Sequence, residues 1–195
     1  MVARIDAAPM TVGEYLTLAR ENPDAKYEYA DGHVYAMSGG TLDHSAIGGA
    51  ITAALGDLLD GSPCRVYNSD ARVRPSATQW VFPDATVTCD ERDRGAADEI
   101  VAPRVIVEVL SESTEAHDRG RKFGWYRACV SVEEYALVAT DRRQVEVFRR
   151  HGDADIWEYE VYGPDASLEL RSLRLTLPVA RLYRGTLVPS GDEPA

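Results

Sequence analysis

Two acidic residues stand where strands ought to be apolar. Residues 104–110 read Arg-Val-Ile-Val-Glu-Val-Leu, and Glu108 interrupts a run that otherwise suits a central strand buried on both faces. Asp84 follows a proline in "WVFPDATVTC" and precedes a strand core of the same kind. An ionised carboxylate inside such a strand costs several kcal/mol unless it emerges at a strand end, is paired, or binds a metal. The 24 residues that separate the two are enough for neighbouring strands and a loop. Carboxylates projecting from the same end of adjacent central strands form an oxygen-rich site suited to Mg2+ or Mn2+. Downstream, Asp118 and Lys122 are four residues apart and share one helix face. A lysine there can hold a phosphate or orient an attacking water.

These residues need a scaffold, and the surrounding pattern supplies one. Thr11 and Glu14 have capping-box spacing ahead of a short helix whose apolar residues are Val12, Tyr15, Leu16 and Ala19. "KYEYADGHVYAM" places alternating arms around Asp31-Gly32, which predicts a hairpin with strands near 26–30 and 33–37. Ile47, Ile51, Ala54, Leu55, Leu58 and Leu59 line one face of a long helix that Gly61 and Pro63 terminate. "CRVYNSDARVR" and "WVFPDATVTC" read as two strands joined by the turn "PSATQ". After the strand at 104–110, Ser113 or Thr114 can cap a helix from about 115 to 129. "EEYALVAT", "QVEVFRR" and "WEYEVY" are strands, and the tail from 167 to 185 is an alternating strand with a short terminal turn. The fold class is therefore α+β, one domain over 1–195 with a mixed sheet flanked by helices.

With 195 residues, 45% of them hydrophobic, the chain can bury a core without a metal or disulfide staple. Its three cysteines, Cys64, Cys89 and Cys129, are far apart and lack a Cys-x-x-Cys pair, so neither a disulfide nor a structural zinc site is expected, and a reducing cytoplasm fits best. The opening "MVARIDAAPM" lacks the apolar core of a signal peptide, and no apolar run is long enough to span a bilayer. A net charge of −11 argues against coating nucleic acid through bulk charge and leaves room only for a local basic groove.

"YEYADGHVY", His44, "FPDATV", "VEVLSEST", Asp118, Lys122, Tyr126 and "EEYALV" together resemble the Uma family of restriction-endonuclease-like proteins, within the PD-(D/E)XK nuclease superfamily, over residues 10–185. The resemblance implies a restriction-endonuclease-like core with a metal site at a fork in the sheet. Asp84 would be the motif's aspartate and Glu108 its second acid. The superfamily pattern places a lysine two residues after that acid, where this chain has Leu110; the family moves the lysine to the following helix, and Lys122 fills that place. Glu28 matches an acidic position in the first hairpin and would complete the metal shell. The implied activity is Mg2+-dependent (or Mn2+-dependent) hydrolysis of DNA phosphodiesters by a homodimer. Asp84, Glu108 and Lys122 would be catalytic, and Asp84, Glu108, the Val109 carbonyl and Glu28 would hold the metal. Arg72, Arg74, Arg119, Arg121, Arg127 and His44 would face substrate.

Each residue also has a purely structural reading. Asp84 and Glu108 could cap amides or pair with Arg104, Lys122 could pair with Asp118, and Glu28 with Lys26. His44 could be an exposed helix-start histidine, and Trp125 and Tyr126 could be core. A catalytically silent nucleic-acid-binding protein that keeps the fold is the alternative function.

Overall fold

The computed structural model describes residues 2–4, 8–37, 39–95, 98–152 and 155–191. After a short strand β1 (Val2–Arg4), helix α1 (Val12–Glu21) opens with the expected capping box, Thr11 and Glu14 each bonding the other's backbone amide. The Asp31-Gly32 turn joins β2 (Tyr27–Ala30) to β3 (His33–Met37), and both turn residues adopt positive φ, 49° and 95°, as such a turn requires. Helix α2 (Leu42–Leu58) follows, capped by the Thr41 hydroxyl.

The next segments depart from the sequence reading. Each predicted strand is two: β4 (Arg65–Asn68) and β5 (Val73–Ser76), then β6 (Gln79–Val81) and β7 (Ala85–Thr88). The halves belong to different sheets. β5 and β6 join the hairpin in a five-stranded sheet ordered β1-β3-β2-β6-β5, while β4 and β7 join the principal sheet. Pro83, which has no amide to donate to a ladder, lies at the crossing between them, directly before Asp84.

β8 (Pro103–Val109) pairs antiparallel with β7 and parallel with β9 (Glu134–Val138), reached by a helical crossover. β10 (Val145–Arg150) and β11 (Trp157–Tyr162) complete a mixed sheet ordered β11-β10-β9-β8-β7-β4. The crossover is not one continuous helix. α3 (Glu115–His117) passes into a π-helical turn, Asp118–Lys122, and then into α4 (Phe123–Ala128). The tail is a hairpin, β12 (Ser167–Leu170) and β13 (Leu175–Pro178), followed by α5 (Val179–Leu182), where a single strand was expected. Arg174, at φ 56°, makes the unpredicted turn possible.

Period-two alternation sorts β8 between two cores. Val105, Val107 and Val109 pack with Ile47, Ile51 and Leu55 of α2, whereas Ile106 and Leu110 pack with Tyr126 and Tyr135 beneath the crossover. Glu108 lies between Ile106 and Leu110 in that alternation and so takes the crossover side.

The cysteine expectation is corrected. Cys64 and Cys89 form a disulfide. Arg65 pairs with Thr88, so one further step of the same register sets the two cysteines opposite each other across β4 and β7. That proximity comes from strand pairing and leaves no trace in spacing along the chain. The argument for a reducing compartment loses its basis. Cys129 is free and buried. No helix among the described residues is long and apolar enough to cross a membrane.

Candidate active site

The site forms where β7 begins and β8 ends. Ala85 pairs with Val107, and the register carried one residue further brings Asp84 beside Glu108. The Val109 amide donates to Asp84 Oδ2 at 2.7 Å, fixing that carboxylate at the strand end. His44, in the first turn of α2, reaches the same oxygen with Nε2 at 3.5 Å. Asp84, Glu108, Val109, Asp118, Lys122 and His44 all line one cleft of about 660 Å³.

Lys122 lies at the centre of the acids. Its Nζ is 3.0 Å from Glu108 Oε1, 3.1 Å from Glu28 Oε1 and 3.6 Å from Asp118 Oδ1, and its side chain is 3% exposed. Glu28 comes from the other sheet, where it also accepts the Phe82 amide at 3.0 Å. One lysine therefore ties the hairpin sheet, the principal sheet and the crossover together. The π-helical turn carries both Asp118 and Lys122 inward, and both are buried; such turns occur frequently at functional sites.

Burial raises the carboxyls of Asp84, Glu108 and Asp118, since desolvation disfavours the charged form. For Asp84, His44 and the Val109 amide pull the other way. For Glu108, Lys122 pulls down while Asp118, Asp84 and Glu28 push further up. Burial alone would lower Lys122; Glu108, Glu28 and Asp118 outweigh it and hold the ammonium well above its ordinary range.

Three carboxylates, those of Glu28, Glu108 and Asp118, thus gather about one ammonium with Asp84 in the same cleft, and Glu28 Oε2 is buried without a hydrogen-bond partner. Both features fit a divalent cation. Among the described residues no three His, Cys, Asp or Glu side chains form a ready metal cage. Mg2+ does not need one, because it is commonly held through one or two carboxylates and keeps several waters. Asp84 and Glu108, with the Val109 carbonyl, form a donor set of that kind.

Of the sequence candidates, the structure brings together Asp84, Glu108, Lys122, Glu28, Val109 and His44. Arg121, within the π-helical turn of the crossover, has Nη1 3.4 Å from the Tyr35 hydroxyl of β3. The other arginines are committed elsewhere. Arg74 pairs with Glu99 at 2.6 Å with Arg72 beside it, Arg119 bonds Glu115 and Glu146, and Arg127 bonds Asp155. Arg104 pairs with Glu133 and Lys26 with Asp70, so neither neutralises the acids in question. Tyr126, read as core, has a second role: its hydroxyl donates to Glu108 Oε1 at 2.9 Å. The available signal was its position four residues after Lys122, on the same helix face.

Residues 12–180 match the Uma2 family, which is described as "Putative restriction endonuclease". The chain belongs to the Uma2 family. The matched stretch contains every side chain of the cluster, from Glu28 to Tyr126. The chain is 38% identical over 189 residues to the uncharacterized Synechocystis protein slr1290, spanning 95% of this chain and 98% of that one. A second uncharacterized Synechocystis protein, sll1609, is 25% identical over 85% of this chain and 95% of its own. Among solved structures, one titled "a putative nuclease belonging to DUF820" from Anabaena variabilis superposes with a TM-score of 0.73, covering 90% of this chain and 98% of that chain at 22% identity. The Uma2 assignment and this shared fold make the chain nuclease-like.

Proposed function

We propose that this chain is a metal-dependent endonuclease that hydrolyses DNA phosphodiester bonds. The observation that carries the reading is the meeting of Asp84 and Glu108, from adjacent strands, in one cleft with the Lys122 ammonium. Asp84, Glu108 and the Val109 carbonyl would hold Mg2+ or Mn2+, with Glu28 completing the shell. When bound, the cation supplies Lewis acidity toward a phosphoryl oxygen and an acidified water.

The chain's own groups do the rest. Lys122, held cationic by its acidic neighbours, stabilises the negative charge that develops on the phosphoryl oxygens. Tyr126 fixes Glu108 Oε1, and His44 and the Val109 amide fix Asp84 Oδ2, so both carboxylates are oriented before substrate arrives. Cutting both strands of a duplex would call for two copies of the site, which is the role of the expected homodimer.

Nicking of supercoiled plasmid with Mg2+ or Mn2+ tests the reading. Native protein cuts, and Asp84→Asn and Glu108→Gln each lose at least about 100-fold in rate, the scale expected when a major electrostatic element is removed. Equal cutting by all three rules the site out. A second reading, a silent nucleic-acid-binding protein, is favoured by the way Lys122 already bridges Glu28, Glu108 and Asp118. It predicts DNA binding with no cutting and no rise in melting temperature on adding Mn2+, whereas a cation that binds only the folded form must raise it.

A further inference from the structure

Residues of the crossover that converge on the acids are spaced by four throughout. Thr114, Asp118 and Lys122 line the cleft, and Tyr126 donates to Glu108 Oε1, the same oxygen that Lys122 reaches. An α-helix, at about 3.6 residues per turn, rotates each such step by about 40°, so three steps swing the last residue about 120° away from the first. A regular helix therefore cannot aim all of them at one place. The π-helical turn at Asp118–Lys122 takes up that drift, because its i→i+5 bonds put more residues into a turn.

Such a turn is rare and needs something to hold it. Beneath it lies Tyr135 of β9, which is 0% exposed and whose hydroxyl donates to the Asp118 carbonyl at 3.1 Å. A side chain that enters the hydrogen-bond ladder of a helix distorts it. Tyr135 cannot follow the turn if the turn tightens. It is paired with Ile106 of β8 in the sheet, and its ring stacks on Phe123, the first residue after the turn, at 5.7 Å and lies 5.0 Å from Tyr126. One side chain thus grips the start of the turn by its hydroxyl and the far end by its ring.

We propose that Tyr135 is a positioning residue: its hydroxyl holds the π-helical turn open and so keeps Asp118, Lys122 and Tyr126 aligned on the acids of the two sheets. Without the hydroxyl the turn closes toward α-helical pitch, and Lys122 is carried round the helix axis, away from Glu28 and Glu108 and toward solvent. The alignment is independent of any substrate, whereas its effect on cutting rests on the nuclease reading.

The chain's two lysines supply a readout that needs no substrate. The side chain of Lys26 is 39% exposed and that of Lys122 3%, so an amine-acylating succinimidyl ester marks the first and spares the second in native protein. Tyr135→Phe keeps the ring and removes the hydroxyl. Acylation of Lys122 relative to Lys26, read by peptide mass spectrometry, then rises about tenfold, the equilibrium shift that one buried hydrogen bond supports. Tyr183→Phe strips a likewise buried hydroxyl from the Ala139 and Gln144 carbonyls in the other core and leaves Lys122 protected. In steady-state plasmid nicking with Mn2+, Tyr135→Phe lowers kcat at least about tenfold at native KM, the split expected when groups that act in the transition state are displaced. Native protection of Lys122 in Tyr135→Phe overturns the proposal, and so does equal exposure of Lys122 in Tyr183→Phe, which would mark a general loosening. Loss of native far-ultraviolet circular dichroism in Tyr135→Phe overturns it as well, by placing the hydroxyl in the service of the whole core. Lys122 exposed at undiminished kcat upholds the grip on the turn and removes Lys122 from the nuclease reading. Native protein that cuts no DNA fails the nuclease reading alone, because the acylation ratio decides the role of Tyr135 by itself.

Discussion

Lys122 is buried because acids surround it, and those acids are tolerable because Lys122 is there. Removing one member of a buried charge cluster leaves the others uncompensated, at a cost of about 3–5 kcal/mol. Lys122→Met is therefore expected to lose about that much in urea denaturation, and a loss below about 1 kcal/mol would show that the ammonium is not what compensates Glu28, Glu108 and Asp118. His44 depends on a different neighbour. Gly40→Ala would drive a methyl into the imidazole, pushing it off Asp84 Oδ2. The expected result is a drop in plasmid nicking with the melting temperature nearly unchanged; full activity would remove His44 from the account of Asp84.

The Cys64–Cys89 bridge fastens the edge strand β4 to β7, the strand that Asp84 precedes. It closes a separation of 25 residues, and restricting the unfolded chain over such a loop contributes about 3 kcal/mol. Dithiothreitol, or Cys89→Ser, should lower the denaturation midpoint accordingly, and identical midpoints with and without reductant would show that the bridge contributes nothing. Sequence pattern could not have found this pair, because it depends on which strands become neighbours. The same limit explains the split of "CRVYNSDARVR" between two sheets, since β-branched runs signal strands without saying where they pair. The hairpin, α1, α2 and the strands β8 to β11 were legible because their signals are local: capping box, Asp-Gly turn and apolar period. Asp84 and Glu108 were legible because a carboxylate in an apolar strand is a local anomaly. The arginines were not, since a guanidinium near the site in sequence gives no sign of the acid that will claim it. Nor was the π-helical turn, whose extra residue per turn is hidden in an ordinary helical composition.

The molecule holds four of its ten tyrosines, Tyr15, Tyr126, Tyr135 and Tyr183, at 1% exposure or less. Burial pushes Tyr15 and Tyr183 up to about 12 and the other two well upward. Between about pH 10, where unfolded tyrosine ionises, and pH 12, the native state binds more protons than the unfolded state. Stability therefore falls as pH rises through that interval. Absorbance at 295 nm should show the exposed tyrosines ionising first and the buried set only as far-ultraviolet circular dichroism is lost. A single smooth ionisation completed while the dichroism is intact would contradict the burial.

Because Lys122 gathers partners from positions 28, 108 and 118, no fragment that ends before residue 122 contains the centre. During translation Glu28 emerges early, yet its cation is made 94 residues later and is held inward only once the crossover has been drawn onto the sheet by β9. A ribosome-bound precursor thus carries the separate members of the Lys122 cluster without the cluster, which comes into being only as the fold is completed.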